Sequence, residues 1–169
     1  MPGVTVSINL SADALHDPDV VQALEMGLAL NNLTPSLVIV ELTESVMLKS
    51  PEMALVIMQS IVGMGMHLSI DDYGAGFSSL TYVKQLPAHE LKIDKSFITD
   101  LINSRQDRAI VESSIDLGHD FGLKVLAEGV EDQATMDMLH QAGCDLGQGW
   151  HFAKALSLPV FKKWALAFK

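Results

Sequence analysis

Two adjacent carboxylates, Asp71-Asp72, followed by Gly74-Ala75-Gly76, form the sharpest chemical signal in the chain. Side-by-side acids at the end of an apolar run suit a pair of divalent cations, with one carboxylate bridging ions about 4 Å apart, as in two-metal phosphoryl chemistry. The same pair also suits a helix cap or a solvated turn. The other apolar runs tip the balance, because each ends in polar residues of a similar kind. They are Val6-Ser7-Ile8-Asn9, Ile39-Val40-Glu41 with Glu44 beyond, and Leu91-Lys92-Ile93-Asp94. Val125-Leu126-Ala127-Glu128 with Glu131 beyond, and Leu146-Gly147-Gln148, complete the series. Oxygen donors from Asp, Glu and Asn suit Mg2+ or Mn2+ rather than zinc.

Lys92 and Asp94 are two apart in a strand pattern, which predicts side chains on one face. A lysine directed among acids needs them as partners. It would orient or polarise an attacking water, or balance phosphate charge; the structural alternative is an ion pair with Asp94 or Glu131. Glu128 at a strand tip fits a metal ligand or a general base. Glu131, three residues on, also suits the positive N-terminus of the next helix. Glu44 is placed in a loop, where it would hold the segment carrying Gly74, Gly76, Ser78 and Ser79. Gln148, between glycines, suits a phosphate or a metal-bound water. His16, His67, His89, His119, His140 and His151 have no metal-ligand spacing, and only His151 is expected near the strand tips. Ser78-Ser79 lacks a paired His and Asp, so serine hydrolase chemistry is unsupported.

These residues need elements to hold them at one rim. The strands read as near-continuous apolar runs, such as Leu37-Val38-Ile39-Val40 and Lys124-Val125-Leu126-Ala127, which belong in a parallel sheet covered by helices. Asp17-Pro18 predicts the start of a helix through Val21, Leu24 and Leu28, and Ser50-Pro51-Glu52 the start of another over Met53–Met64. A polar break at Asn103 to Arg105 precedes a helix through Ile110, Val111, Ile115 and Leu117, ending near Gly118–Gly122. Asp132 starts a helix through Met136 and Leu139 that Gly143 closes. A short helical stretch is expected over Ser78–Lys84, and a last helix after Pro159. The total is six βα units, whereas a closed barrel of this kind needs eight. The sheet is therefore open, or two units are missing from the N-terminal side, and bare edges result. The helix over Met53–Met64 is apolar nearly all round, which predicts a partner surface and self-association.

The composition, 49% hydrophobic with 19% charged residues, is that of a folded chain. Its 169 residues suffice for one domain with a real core. A net charge of −10 offers few cations for a nucleic acid polymer, though a small phosphate ligand remains compatible if metals intervene. No apolar run reaches the length of a membrane span, and no signal peptide is read. The single cysteine, Cys144, forms no internal disulfide and reads as a small core residue, in keeping with a cytoplasmic location.

Taken in order, Ser7-Ile-Asn-Leu-Ser11, Glu41-Leu-Thr-Glu44, Asp71-Asp-Tyr-Gly-Ala-Gly-Phe-Ser-Ser-Leu80, Leu91-Lys-Ile-Asp94, Ala127-Glu-Gly-Val-Glu131 and Gly147-Gln-Gly149 resemble the motif series of EAL domains. The resemblance covers nearly the whole chain and implies a single partial domain over 1–169, an incomplete α/β TIM-type barrel. It further implies hydrolysis of cyclic di-GMP to pGpG with Mg2+ or Mn2+. By motif, Asn9, Glu41 and Asp71 would hold one metal, and Asp71 with Asp72 the second, with Glu128 close by. Lys92 would act on the hydrolytic water, Glu44 would brace the loop over Gly74–Ser79, and Gln148 would belong to the same network. Family members often dimerise near that loop. The Glu-Ala-Leu-x-Arg signature is absent, so impaired catalysis is expected. The alternative is a non-catalytic EAL-derived module that binds cyclic di-GMP weakly or serves protein interaction.

Overall fold

Alternation of apolar and polar side chains decides which way each strand faces. In β2 (Val38–Thr43), Val38, Val40 and Leu42 are buried in an apolar cluster with Leu68, Ala54, Ile57, Met58 and Ile61. In β4 (Glu90–Ile93) and β5 (Lys124–Glu128), Leu91, Ile93, Val125 and Ala127 join a second cluster with Ile98, Val111, Ile115 and Leu139. The intervening residues of each strand point to the opposite face. That rule alone places Glu41, Lys92 and Glu128 together on the side of the sheet away from the helices.

The computed structural model describes residues 4–17, 19–43, 51–74 and 84–168. With β1 (Val6–Asn9), β3 (His67–Tyr73) and β6 (Leu146–Gln148), the strands form a six-stranded parallel sheet in the order β1-β2-β3-β4-β5-β6. The architecture is an incomplete α/β barrel of TIM type, with β1 and β6 as its two edges. The helices are α1 (Val20–Leu30), α2 (Pro51–Gly63), α3 (Lys95–Thr99), α4 (Arg105–Asp120), α5 (Gln133–Gln141) and α6 (Leu158–Ala167).

Several starts follow the local chemistry of helix caps. The Ser104 hydroxyl accepts the Asp107 N–H at 3.2 Å, and the Asp132 carboxylate accepts the Thr135 N–H at 2.8 Å. Each satisfies a backbone donor that the first helical turn leaves unpaired. The helix expected after Asp17 spans Val20–Leu30, and the Asp17 carboxylate accepts the Asp19 N–H at 2.9 Å just ahead of it. Helix α2 is less symmetric than its sequence implies. Ala54, Ile57, Met58 and Ile61 line one buried stripe, while Met53 is 52% and Val56 61% exposed. The expected turn of helix before Lys84, together with Glu44, Gly76, Ser78 and Ser79, lies outside the described residues. Among the described residues no helix is long and apolar enough to cross a membrane.

At the entry ends of the strands, His67 and His89 meet edge to face with ring centroids 4.6 Å apart. His89 Nδ1 accepts the Leu68 N–H at 3.3 Å. Burial, and then the neighbouring His67, hold the His89 pKa below the usual histidine value. The unfolded chain therefore binds this proton more readily than the folded one. The stability contributed by neutral His89 is present above pH about 6.5 and is lost as pH falls through that value toward the lower folded pKa. His89→Gln keeps an acceptor and removes the titration, so its melting temperature is expected to fall less than the wild type's between pH 7.5 and 5. Equal losses in the two proteins would refute the assignment.

Candidate active site

A β-bulge sets the geometry of the two adjacent aspartates. Ile70 pairs with Leu91 and Tyr73 with Ile93, so β3 carries one more residue than β4 over this stretch. In a regular strand Asp71 and Asp72 would point to opposite faces. Here Asp72 adopts the left-handed backbone region at φ +55°, one that Asp tolerates better than most residues. The extra residue re-aims the strand and turns both carboxylates toward the same space. The Asp71 carboxylate then accepts the Asp72 N–H at 3.1 Å and fixes the arrangement.

Lys92 is at the centre. Its Nζ lies 2.6 Å from Glu128 Oε1, 2.9 Å from Asp71 Oδ1 and 3.3 Å from Glu41 Oε2, and its side chain is 3% exposed. Burial opposes its charge, but hydrogen bonds to Glu128 and Asp71 and the charges of Glu128 and Glu41 outweigh burial and raise its pKa above the ordinary lysine value. Lys92 therefore stays an ammonium at any physiological pH. Its partners are these three acids rather than Asp94 or Glu131. Strand β4 stops at Ile93, and Asp94 caps α3, accepting the Ser96 N–H at 2.9 Å, while its carboxyl stays in hydrogen-bond reach of Asp72. Glu131 is exposed beyond the strand tip.

Carboxylate oxygens of Asp71, Asp72 and Glu128 lie within 4.8 Å of one another, a spacing suited to shared cations. Burial raises the Glu128 pKa, and the charges of Asp71 and Asp72 add to it against the opposing effect of Lys92. Burial also raises Asp72, followed by the charges of Asp71 and Asp94. Asp94 moves the other way: burial pushes it up, but hydrogen bonds from Ser96 and the charge of Lys95 hold it below the usual range. Four acids, Glu41, Asp71, Asp72 and Glu128, thus face one buried ammonium. This surplus of negative charge on hard oxygen donors fits divalent cations of the Mg2+ or Mn2+ type.

The remaining candidates stand at the rim around this group. Asn9 ends β1 in register with Glu41, and Gln148 ends β6 in register with Glu128. Both are exposed, on the two edge strands. Gly74, at φ +95°, follows β3 directly and packs on the Phe97 ring. The turn after Glu128 is clamped on both sides. Gly129, at φ +75°, lets the chain pass where a Cβ would meet that of Lys95 at 2.7 Å. Gly149 leaves room for the Val130 backbone, whose N–H donates to the Gln148 carbonyl at 3.0 Å and whose carbonyl accepts the His151 N–H at 3.0 Å. A cavity of about 860 Å3 adjoins this turn, lined among others by Lys95, Glu128, Glu131, Gln148, Trp150 and Phe152. Two participants escape the strand pattern. Ser69, 1% exposed, is beside Glu41 in register and donates its hydroxyl to Glu90 at 2.9 Å. Lys95 announces itself only by following the Lys92-Ile93-Asp94 tip.

Comparison with known proteins identifies the family and the fold. The family model described as EAL domain matches residues 1–155. The bifunctional diguanylate cyclase/cyclic di-GMP phosphodiesterase MucR of Pseudomonas aeruginosa is 41% identical over 145 residues, which are 86% of this chain and 21% of that protein. This chain spans about a fifth of the length of MucR and of several other curated relatives, and 54% of a Mycobacterium tuberculosis relative that is 36% identical. The solved MucR phosphodiesterase in complex with c-di-GMP superposes with a TM-score of 0.89 at 38% identity, covering 93% of this chain and 64% of that one. Klebsiella pneumoniae BlrP1, solved with c-di-GMP and either calcium or manganese, gives a TM-score of 0.82 at 32% identity over 89% of this chain and 38% of its own.

Proposed function

The chain belongs to the EAL domain family, and we propose that it is a phosphodiesterase unit that hydrolyses cyclic di-GMP to the linear dinucleotide pGpG. The observation that carries this reading is the buried Lys92 ammonium set among Glu41, Asp71 and Glu128, with Asp72 alongside. Asn9, Glu41 and Asp71 would hold one divalent cation, Mg2+ or Mn2+, and Asp71 with Asp72 a second, with Glu128 nearby. When bound, such cations supply Lewis-acid activation of water and neutralise phosphate charge.

The chain's own groups divide the remaining work. Lys92, fixed as an ammonium, donates hydrogen bonds and orients the attacking water without acting as a base. Glu128, whose pKa is raised chiefly by burial, is the group suited to take the water's proton. The water oxygen bonds to phosphorus, one phosphorus–O3′ ester bond breaks, and the freed O3′ takes a proton from solvent. Glu44 would brace the loop over Gly74–Ser79, and Gln148 would bind a phosphate or a cation-bound water.

Incubation with cyclic di-GMP and Mn2+, followed by chromatography for pGpG, tests the reading; a protein that gives none at high concentration is not an enzyme on its own. A non-catalytic EAL-derived module is the second reading, favoured by the exposure of Asn9 on an edge strand. We also propose a cytoplasmic location and self-association through the exposed Met53 and Val56 of α2 or the edges β1 and β6. Light scattering is expected to give a dimer at micromolar concentration, and a stable monomer there would refute it.

A further inference from the structure

The group that makes Lys92 suitable for catalysis makes it unsuitable for gripping a phosphate. An ammonium has three N–H donors, and Lys92 has three carboxylates at 2.6, 2.9 and 3.3 Å with 3% of its side chain exposed. A small neutral water can share one of these N–H donors, but a charged phosphate would have to displace one of the buried carboxylates, which is costly. The chain carries a net charge of −10, so an anionic ligand meets a repulsive surface unless a cation stands at the entrance.

Among the charged residues lining the cavity beside the site, Glu128, Glu131 and Asp145 are acids and Lys95 is the cation. Lys95 is exposed, and no carboxylate among the described residues forms a salt bridge with it. Its position is nonetheless fixed. It opens α3 behind the Asp94 cap, its carbonyl accepts the Thr99 hydroxyl at 2.9 Å, and its Cα and Cβ pack on Gly129 next to Glu128. The aliphatic stem is anchored at the turn that carries the reactive carboxylate, while the ammonium stands in solvent near Asp94, with which it forms no salt bridge.

We propose that Lys95 is the substrate-binding cation of this site, holding a phosphate of the dinucleotide at the cavity mouth while Lys92 serves the reacting centre. The proposal rests on the phosphodiesterase reading above. It makes Lys95 a determinant of affinity for anionic substrates rather than of the chemical step.

The test is steady-state hydrolysis of cyclic di-GMP by the wild type, Lys95→Gln and Lys95→Arg, with melting temperatures as a folding control. Loss of one charge-assisted contact at an open rim is expected to raise KM about fivefold to tenfold in Lys95→Gln. The fall in kcat should stay below about threefold, with Lys95→Arg recovering most of the affinity. Added NaCl should raise the wild-type KM more steeply than that of Lys95→Gln, because screening acts on the charge that the variant lacks. A KM within twofold of wild type, or a loss confined to kcat, overturns the assignment of Lys95 and leaves the phosphodiesterase reading standing. A wild type that yields no pGpG overturns both.

Discussion

Asp71→Asn is expected to lower hydrolysis of cyclic di-GMP on the order of 10³-fold and to abolish tight binding of Mn2+, while leaving the fold in place. The asparagine carbonyl oxygen can still accept from Lys92, now 2.9 Å from Asp71 Oδ1, and from the Asp72 N–H at 3.1 Å. Both interactions that tie Asp71 into the bulge thus survive in shape. What is lost is one negative charge and the second oxygen donor, the two properties that let a carboxylate bridge cations. Folding should be nearly unaffected, because the substitution also relieves repulsion with Asp72 and Glu128, whose pKa values the charge of Asp71 helps to raise. Calorimetric titration with Mn2+ and product chromatography read the two losses separately. Turnover within tenfold of a working wild type would remove Asp71 from the site.

The strand-face rule explains why so much of this site is legible in the amino-acid sequence. Glu41 and Lys92 each stand between two apolar residues that face the helices, and Glu128 follows the helix-facing Ala127 at the end of β5, so their inward direction follows from period two alone. The order of the sheet follows from repeated strand-helix units with parallel pairing, and the caps at Ser104 and Asp132 follow from side-chain chemistry. Asp71 and Asp72 are different. Period two sends one of them away from the site, and only a bulge against β4 with a left-handed Asp72 brings both back. Registry between two strands is a tertiary property that no window around residue 71 contains. Asp94 serves two neighbours, Asp72 in the site and the first turn of α3. It continues the strand alternation on paper, yet the following Ser96, Phe97 and Ile98 start a helix, and the cap wins over the strand because it satisfies the Ser96 N–H. The crowding of Gly149 against Val130, and of Gly129 against Lys95, depends on which turns meet at the rim.

The second large effect separates charge balance from catalysis. Lys92→Met removes the one ammonium that compensates Glu41, Asp71 and Glu128 while keeping a side chain of similar reach. Stripping one partner from a buried ionic group costs about 3–5 kcal/mol when the charge left behind has no escape. Here Asp71 and Glu128 are partly open to water, so a loss of about 2–3 kcal/mol in urea unfolding at pH 7.5 is expected. The sign of its pH dependence follows from Glu128. Lys92 lowers the pKa of that carboxyl, so removing it drives the folded pKa further above the unfolded value. A group shifted upward stabilises the fold below its unfolded pKa and loses that contribution as pH rises through the folded value. The deficit of the variant should therefore shrink as pH drops from about 7.5 toward 5. Divalent cations should act in the same direction. With the ammonium gone, the same oxygens attract Mn2+ more strongly, so added Mn2+ should stabilise Lys92→Met more than the wild type. Turnover should nonetheless fall at least about 10²-fold, because the donor that orients the water is missing. A variant that binds Mn2+ as well as or better than wild type yet fails to hydrolyse assigns Lys92 to the reaction. One that loses cation binding along with activity would instead make the lysine a structural support for the acids, and the division of labour between Lys92 and the four carboxylates would be wrong.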